Sequence, residues 1–116
     1  MKLAAILIVG ASLVAAGTAT ASPRISDLDY LRASRCKGLA ESLGGDTVGV
    51  DALLKSARAS RASVIVDRGQ TELSRAKREA RGDRKDRLTA ELAGGCAAYM
   101  GGPELFAAAK SPSKAQ

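Results

Sequence analysis

Histidine, tryptophan and asparagine are absent from this chain of 116 residues, and its aromatic residues are two tyrosines and one phenylalanine. Without histidine, the sequence has neither the commonest general base nor the commonest protein ligand for transition metals. Without asparagine, it has no acceptor for N-glycosylation. The acidic side chains are scattered among basic ones, and none forms a pair in apolar surroundings that would shift a carboxyl pKa for acid catalysis. These absences argue against an enzyme, a metal site and a bound cofactor.

Large apolar side chains are also scarce. Hydrophobic residues make up 46% of the chain, but many of them are alanine. A chain of this length forms one small domain, and so few large side chains can fill only a thin core. We therefore predict an all-α domain over residues 22–110, built as a helical hairpin or a three-helix bundle. The short polar segment 111–116 is predicted to be a disordered tail.

The longest uncharged run lies at the N-terminus, directly after Lys2. Residues 3–16 carry no charge, and residues 19–21 have the small-x-small pattern that signal peptidase recognises. The run is shorter than the roughly 20 apolar residues that span a bilayer, which argues against the alternative of an uncleaved membrane anchor. We predict a signal peptide over residues 1–21 and a mature chain that begins at Ser22. That mature chain would be periplasmic or secreted, without a transmembrane segment.

The sequence contains two cysteines, Cys36 and Cys96. In an oxidising compartment an isolated pair is most simply a disulfide. Each cysteine also lies within the apolar stripe of a predicted helix, so the two stripes would face each other. On the loop-closure model the bridge would stabilise the fold by about 4 kcal/mol. The alternative, a redox-active dithiol, usually places its two cysteines three positions apart, and this pair does not.

Capping signals predict the first and the last helix. Ser26, followed three residues later by Asp29, has the capping-box form and predicts a first helix over residues 27–43. A last helix is expected from about Asp83 to Met100, where two glycines and a proline would end it. The disulfide would then tie the first helix to the last.

The second predicted helix begins at Asp51 and is harder to end. Residues at alternating steps of three and four form what we call the small-residue seam: Ala59, Ala62, Val66, Gly69, Leu73, Ala76 and Ala80. Because the seam is continuous, it predicts one helix as far as about Arg81. The competing interpretation breaks this helix at residues 67–70, which resemble a turn, and gives four helices.

Positive charge is concentrated in one segment. Residues 55–87 contain 11 of the 18 basic side chains but only 5 of the 12 acidic ones. On a helix, Arg61, Arg68 and Arg75 would lie seven positions apart on one side. Arg58 and Arg78 would lie close beside them, so that the five would form a basic stripe. The candidate anion-binding residues are Arg58, Arg61, Arg68, Arg75 and Arg78. The alternative interpretation of this stripe is an ordinary solvated helix face, because arginine is a good helix former.

The basic stripe favours an anionic partner, namely anionic lipid, lipopolysaccharide or an acidic protein. Nucleic acid is disfavoured because no aromatic side chains interleave with the arginines to stack on bases. The sequence therefore supports a small exported accessory protein that binds anionic envelope components or unfolded clients. The alternative is a structural protein that forms a homodimer through the small-residue seam and binds no ligand.

Overall fold

The computed structural model describes residues 25–110, which form six helices and contain no β-strand. The helices are α1 (Asp27–Leu43), α2 (Val48–Arg58), α3 (Ser63–Ala80), α4 (Lys85–Ala93), α5 (Ala97–Met100) and α6 (Pro103–Lys110). The predicted all-α class is confirmed, although six helices replace the expected hairpin or three-helix bundle. The predicted signal peptide (1–21) and the predicted tail (111–116) lie outside the described residues.

Helix α1 begins and ends where the sequence predicts. The Ser26 hydroxyl accepts a hydrogen bond from the backbone N–H of Asp29 at 3.0 Å and donates one to its carboxylate, also at 3.0 Å. Gly44 ends the helix in the left-handed conformation, with φ of 81°, and its N–H bonds the carbonyl of Ala40. A residue with a Cβ atom adopts that conformation only at a cost, so glycine is the suitable residue here.

The predicted continuous helix from Asp51 to Arg81 is wrong. Residues 59–62 separate α2 from α3, and the backbone is extended at Ala62. The competing break at residues 67–70 is also wrong, because α3 runs through them. Both α2 and α3 pack on α1, which has 17 residues and is therefore only about 26 Å long. One straight helix of the predicted length could not have placed both of its halves against so short a partner.

The last predicted helix is likewise divided. Helix α4 begins at Lys85, two residues after the predicted start, and ends at Ala93 before a pair of glycines. The short α5 follows, and α6 begins at Pro103. Proline suits the first position of a helix because its missing N–H would have no partner there. Pro103 therefore starts a helix that the sequence analysis did not predict.

The part of the small-residue seam that lies on α3 packs against α1. Helices α1 and α3 run in the same direction. The buried members of the seam on α3 are Gly69, Ala76 and Ala80. A Cβ atom on Gly69 would lie 2.8 Å from the Ser34 hydroxyl, and one on Gly38 would lie 2.4 Å from the carbonyl oxygen of Leu73. The missing side chains let the two backbones approach closely. The first two members of the seam, Ala59 and Ala62, are exposed and lie outside α3.

The predicted pairing of Cys36 with Cys96 is confirmed. Their sulfurs are 2.08 Å apart and their Cα atoms 5.6 Å apart, across a sequence separation of 60. Cys36 lies in the middle of α1, and Cys96 lies in the turn between α4 and α5. The bond therefore fixes the C-terminal helices to the helix at the centre of the bundle.

All three aromatic residues of the sequence lie in the core. Tyr99 stacks on Phe106 with 5.8 Å between ring centroids, and Tyr30 is buried against α3. The remaining core residues are Ile25, Ala33, Cys36, Leu39, Val50, Leu53, Leu54, Ala57, Ala76, Ala80, Leu88 and Cys96. Alanine and the disulfide take many of the places that larger side chains would fill, so the core is thin, as the composition indicates.

Candidate anion-binding surface

The five arginines that the sequence singled out do not form one stripe. Arg58 is the last residue of α2, and Arg61 lies in the connection between α2 and α3. Arg68, Arg75 and Arg78 belong to α3. The structure therefore distributes the candidates over three places with different surroundings.

Arg61 is not part of an exposed surface, and its place in the basic stripe is a wrong prediction. Its side chain is 10% exposed and its guanidinium is ion-paired with the carboxylate of Asp27. The guanidinium carbon also lies 5.7 Å from the centroid of the Tyr30 ring. These contacts attach the α2–α3 connection to the start of α1. Arg61 therefore stabilises the fold and is not available to an external anion.

Arg58 is exposed but lies apart from the other candidates. Together with Lys55 it lines a groove of about 280 Å³ between α1, α2 and α3, which Gly69 and Gln70 also line. Gln70 is two residues beyond Arg68, which places it about 160° away around the α3 axis. Arg58 therefore faces a different side of the molecule from Arg68.

Three exposed arginines remain together on α3, and we call them the α3 basic face: Arg68, Arg75 and Arg78. Arg68 and Arg75 are one heptad apart and so lie within about 20° of each other around the helix. The Arg75 side chain is 54% exposed, and its ion pair with Glu72, at 3.3 Å, joins neighbours on the same helix. Such an exposed pair is weak and leaves the arginine free to exchange partners.

The connection from α3 to α4 adds a second group of cations, which the sequence analysis did not single out. Every residue from 81 to 87 is exposed. We call its cations the basic corner: Arg81, Arg84, Lys85 and Arg87. None of them makes an ion pair within 4.0 Å with another of residues 25–110, although Asp83 and Asp86 are close in sequence. The charge excess of segment 55–87 was the signal that could have identified them.

Cations between α1 and the helices α3 and α4 are, in contrast, ion-paired. Arg35 bonds Glu79 of α3 at 2.6 Å and Glu91 of α4 at 2.7 Å. Lys77 of α3 lies 2.7 Å from Glu41 of α1. The hydrogen bonds from Arg35 lower the pKa of Glu91, and those same bonds raise the pKa of Arg35. Arg35 and Lys77 are thus ion-paired across helices, whereas the α3 basic face and the basic corner have no carboxylate partner on another of the described helices.

A second cavity, of about 380 Å³, lies over the disulfide and carries no free reactive group. Of its lining residues, Arg35 and Glu91 are bonded to each other. The Tyr99 hydroxyl donates a hydrogen bond to Asp29 at 2.8 Å. The pKa of Tyr99 is raised, mainly by burial and secondly by this hydrogen bond. A phenol that is harder to ionise is a poor general base at neutral pH.

Within residues 25–110, no group of three acidic or cysteine side chains is arranged to hold a metal ion. None of the helices in that range is long and apolar enough to cross a membrane. No family model, curated protein or solved structure matches the chain. The surfaces of the bundle are therefore the basis for assigning a function.

Proposed function

We propose that this chain is an exported, non-catalytic binding protein that attaches to an anionic component of the cell envelope. The attachment surface is the α3 basic face together with the basic corner. The observation that carries the proposal is the separation of charge in the bundle. Arg35 and Lys77, which link α1 to α3 and α4, have carboxylate partners on those neighbouring helices. The outer cations of α3 and the corner have no such partner on another helix, so they concentrate positive potential where an external anion can reach it.

Export is part of the proposal and rests on two supports. The first is the signal-like sequence of residues 1–21, which lie outside the described part of the chain. The second is the disulfide between Cys36 and Cys96, a bond that persists in oxidising compartments. Mass spectrometry of protein recovered from an exporting host should show a chain that begins at Ser22. Recovery of the chain from Met1 as the main form would contradict export with cleavage.

Self-association through the small-residue seam has less support than it had from the sequence. On α3 the seam is occupied by α1, and Gly69 and Ala76 are buried in that contact. A second copy could use the same residues only if α3 separated from α1. We therefore keep anion binding as the proposed function.

The test compares two double variants that each remove two positive charges. Arg68→Gln with Arg75→Gln changes the α3 basic face, whereas Lys55→Gln with Arg58→Gln changes exposed cations of α2. Polyphosphate, a soluble polyanion without apolar groups, is the probe, and binding is measured by calorimetry at low salt. We expect the first variant to lose about tenfold in affinity and the second to lose little.

Fold and salt controls accompany this comparison. Glutamine forms helices about as well as arginine, so both double variants should keep the wild-type helicity and melting temperature. Wild-type affinity should fall as salt rises, because the Debye length shortens. If the wild-type protein does not bind polyphosphate at low salt, or if both variants lose equal affinity, the α3 basic face is not an anion-binding surface.

A further inference from the structure

Large apolar side chains are exposed at four positions in the described part of the chain. They are Leu28 (56% exposed), Val48 (74%), Val64 (60%) and Leu105 (55%). One exposed aliphatic side chain is ordinary on a protein surface and needs no explanation. The positions of Leu28 and Val64 relative to each other and to the cations of α3 are more informative.

Leu28 and Val64 lie at the same end of the bundle. Each holds the second position of its helix, in α1 and in α3. The two helices run in the same direction, and the ion pair between Asp27 and Arg61 joins the residues at their starts. Two of the four exposed aliphatic side chains are therefore brought to one end of the α1–α3 pair.

Val64 shares a side of α3 with the basic face. It precedes Arg68 by four residues and Arg75 by eleven, which places it within about 40° of both around the helix axis. All three side chains are exposed. The buried residues Gly69 and Ala76 lie about 80° to 140° away from these three around the α3 axis, against α1. Val64 therefore continues the surface of Arg68 and Arg75 towards the start of the helix.

Leu28 faces the same side of the helix pair. It precedes Arg35 by two helical turns, so the two residues share a face of α1. The Arg35 guanidinium donates to Glu79 of α3 at 2.6 Å. Glu79 is eleven residues beyond Arg68 and lies within about 20° of it around α3. Leu28 is thus on the side of the α1–α3 pair that carries the α3 basic face.

From this arrangement, and resting on the proposed function, we infer that the anionic partner is the surface of a lipid bilayer. Arg68 and Arg75 contact anionic headgroups, and Leu28 and Val64 enter the boundary between headgroups and acyl chains. A surface that combines cations with aliphatic side chains fits that boundary, where charge and apolar groups meet within a few ångströms. A soluble polyanion offers the aliphatic side chains nothing to contact.

The chain supplies a matched control for the aliphatic pair. Leu28→Ser with Val64→Ser removes the two proposed insertion residues, and Val48→Ser with Leu105→Ser removes the other two exposed aliphatic side chains. Each full-length, oxidised variant is sedimented with vesicles of phosphatidylcholine and phosphatidylglycerol and is also titrated with polyphosphate. We expect the first variant to bind the vesicles about tenfold more weakly and to bind polyphosphate normally, and we expect the control to match the wild type in both assays.

A fluorescent reporter tests insertion directly, because the wild-type chain contains no tryptophan. In Val64→Trp the single indole should shift its emission to shorter wavelength when the anionic vesicles are added. The emission of Val48→Trp should stay unchanged. Indole rings favour the membrane interface, so the substitution should also preserve binding. A shift of equal size for both reporters would contradict docking through the α3 side.

The remaining outcomes separate the two proposals. If the wild type binds polyphosphate but not the vesicles, the proposed function stands and the lipid inference is wrong. If Leu28→Ser with Val64→Ser binds vesicles as well as the wild type does, the aliphatic pair takes no part and the inference is wrong. Loss of polyphosphate binding in that variant would show that the two substitutions disturb the fold, and it would also overturn the inference. Failure of the wild type to bind polyphosphate at low salt would overturn the proposed function itself, and the lipid inference with it.

Discussion

Arg35 of α1 donates two hydrogen bonds to Glu91 of α4, from Nε at 2.7 Å and from Nη2 at 3.0 Å, one to each carboxylate oxygen. A third bond runs from its Nη1 to Glu79 of α3. One side chain of the central helix therefore fixes two helices that follow it. Paired, charge-assisted bonds of this kind are stronger than single neutral ones and hold the guanidinium in one plane.

The first prediction is that acid weakens the bundle through Glu91. Its pKa in the folded protein is below the ordinary value of 4.5 because Arg35 stabilises the carboxylate. The resulting stability is present above that ordinary pKa and is lost as the pH falls through the lower, folded pKa. The melting temperature should therefore drop as the pH falls below about 4.5.

Glu91→Gln provides the comparison for this acid effect. At neutral pH the variant should be less stable by about 1 kcal/mol, a modest value because the ion pair is partly exposed. Towards acid pH its melting curve should converge on that of the wild type. Melting temperatures that stay a constant distance apart from neutral to acid pH would show that Glu91 does not contribute this pH dependence.

The second prediction concerns the bond between Cys36 and Cys96. Cys36→Ser should cost about 4 kcal/mol, since the unfolded chain regains the freedom of a 60-residue loop. For a domain of this size the melting temperature should then fall by roughly 20 °C or more, and circular dichroism will measure it. The melting temperature of reduced wild-type protein should fall by a similar amount. Alkylation of both cysteines without reductant in freshly exported protein would contradict the bond.

The third prediction separates structural from surface arginines. Arg61→Gln should lower the free energy of unfolding by about 2 kcal/mol, because it removes the ion pair with Asp27 and the contact with the Tyr30 ring. Arg68→Gln, an exposed change of the same chemistry, should stay within about 0.5 kcal/mol of the wild type. Urea unfolding monitors both variants. Equal stabilities would show that Arg61 does not anchor the connection.

The fourth prediction concerns the close approach of α1 and α3. In Gly38→Ala the new Cβ atom would lie 2.4 Å from the carbonyl oxygen of Leu73, so the backbone of α3 must move. We expect a loss of about 2 kcal/mol, even though alanine is the better helix former. Gly95→Ala is the control, since its Cβ atom would meet only a carbonyl oxygen at 3.7 Å. Thermal unfolding should distinguish the two.

Structural features that depend on residues close together in the sequence could be predicted from the sequence. Ser26 and Gly44 delimit α1 through hydrogen bonds to residues within four positions, and such signals are visible without tertiary structure. The break at residues 59–62 was not predictable in the same way. That segment contains no glycine or proline, and it turns because α2 and α3 must both pack on the short α1. Packing over long sequence distances therefore overrode the continuous periodicity of the seam.

The candidate surface was also predictable in part, where it depends on helix spacing and not on long-range packing. Heptad spacing correctly placed Arg68 and Arg75 on one exposed side of a helix. The same spacing included Arg61, which the turn removed from the helix and placed over Tyr30. Composition located the charge excess, but only the three-dimensional structure shows which cations have carboxylate partners on other helices. Arg35 and Arg84 look alike in sequence, yet one is bonded to two carboxylates and the other to none within residues 25–110.

The central position of α1 sets the order in which the protein can be assembled. Helices α2 and α3 are synthesised soon after α1 and cover part of it, but the side of α1 that carries Cys36 stays uncovered until translation has passed α4. Cys36 must likewise wait for a partner 60 positions later. A nascent chain stopped before Cys96 would therefore carry an unpaired Cys36 on a partly covered helix. The C-terminal helices must be complete before Cys36 can be both oxidised within the chain and buried.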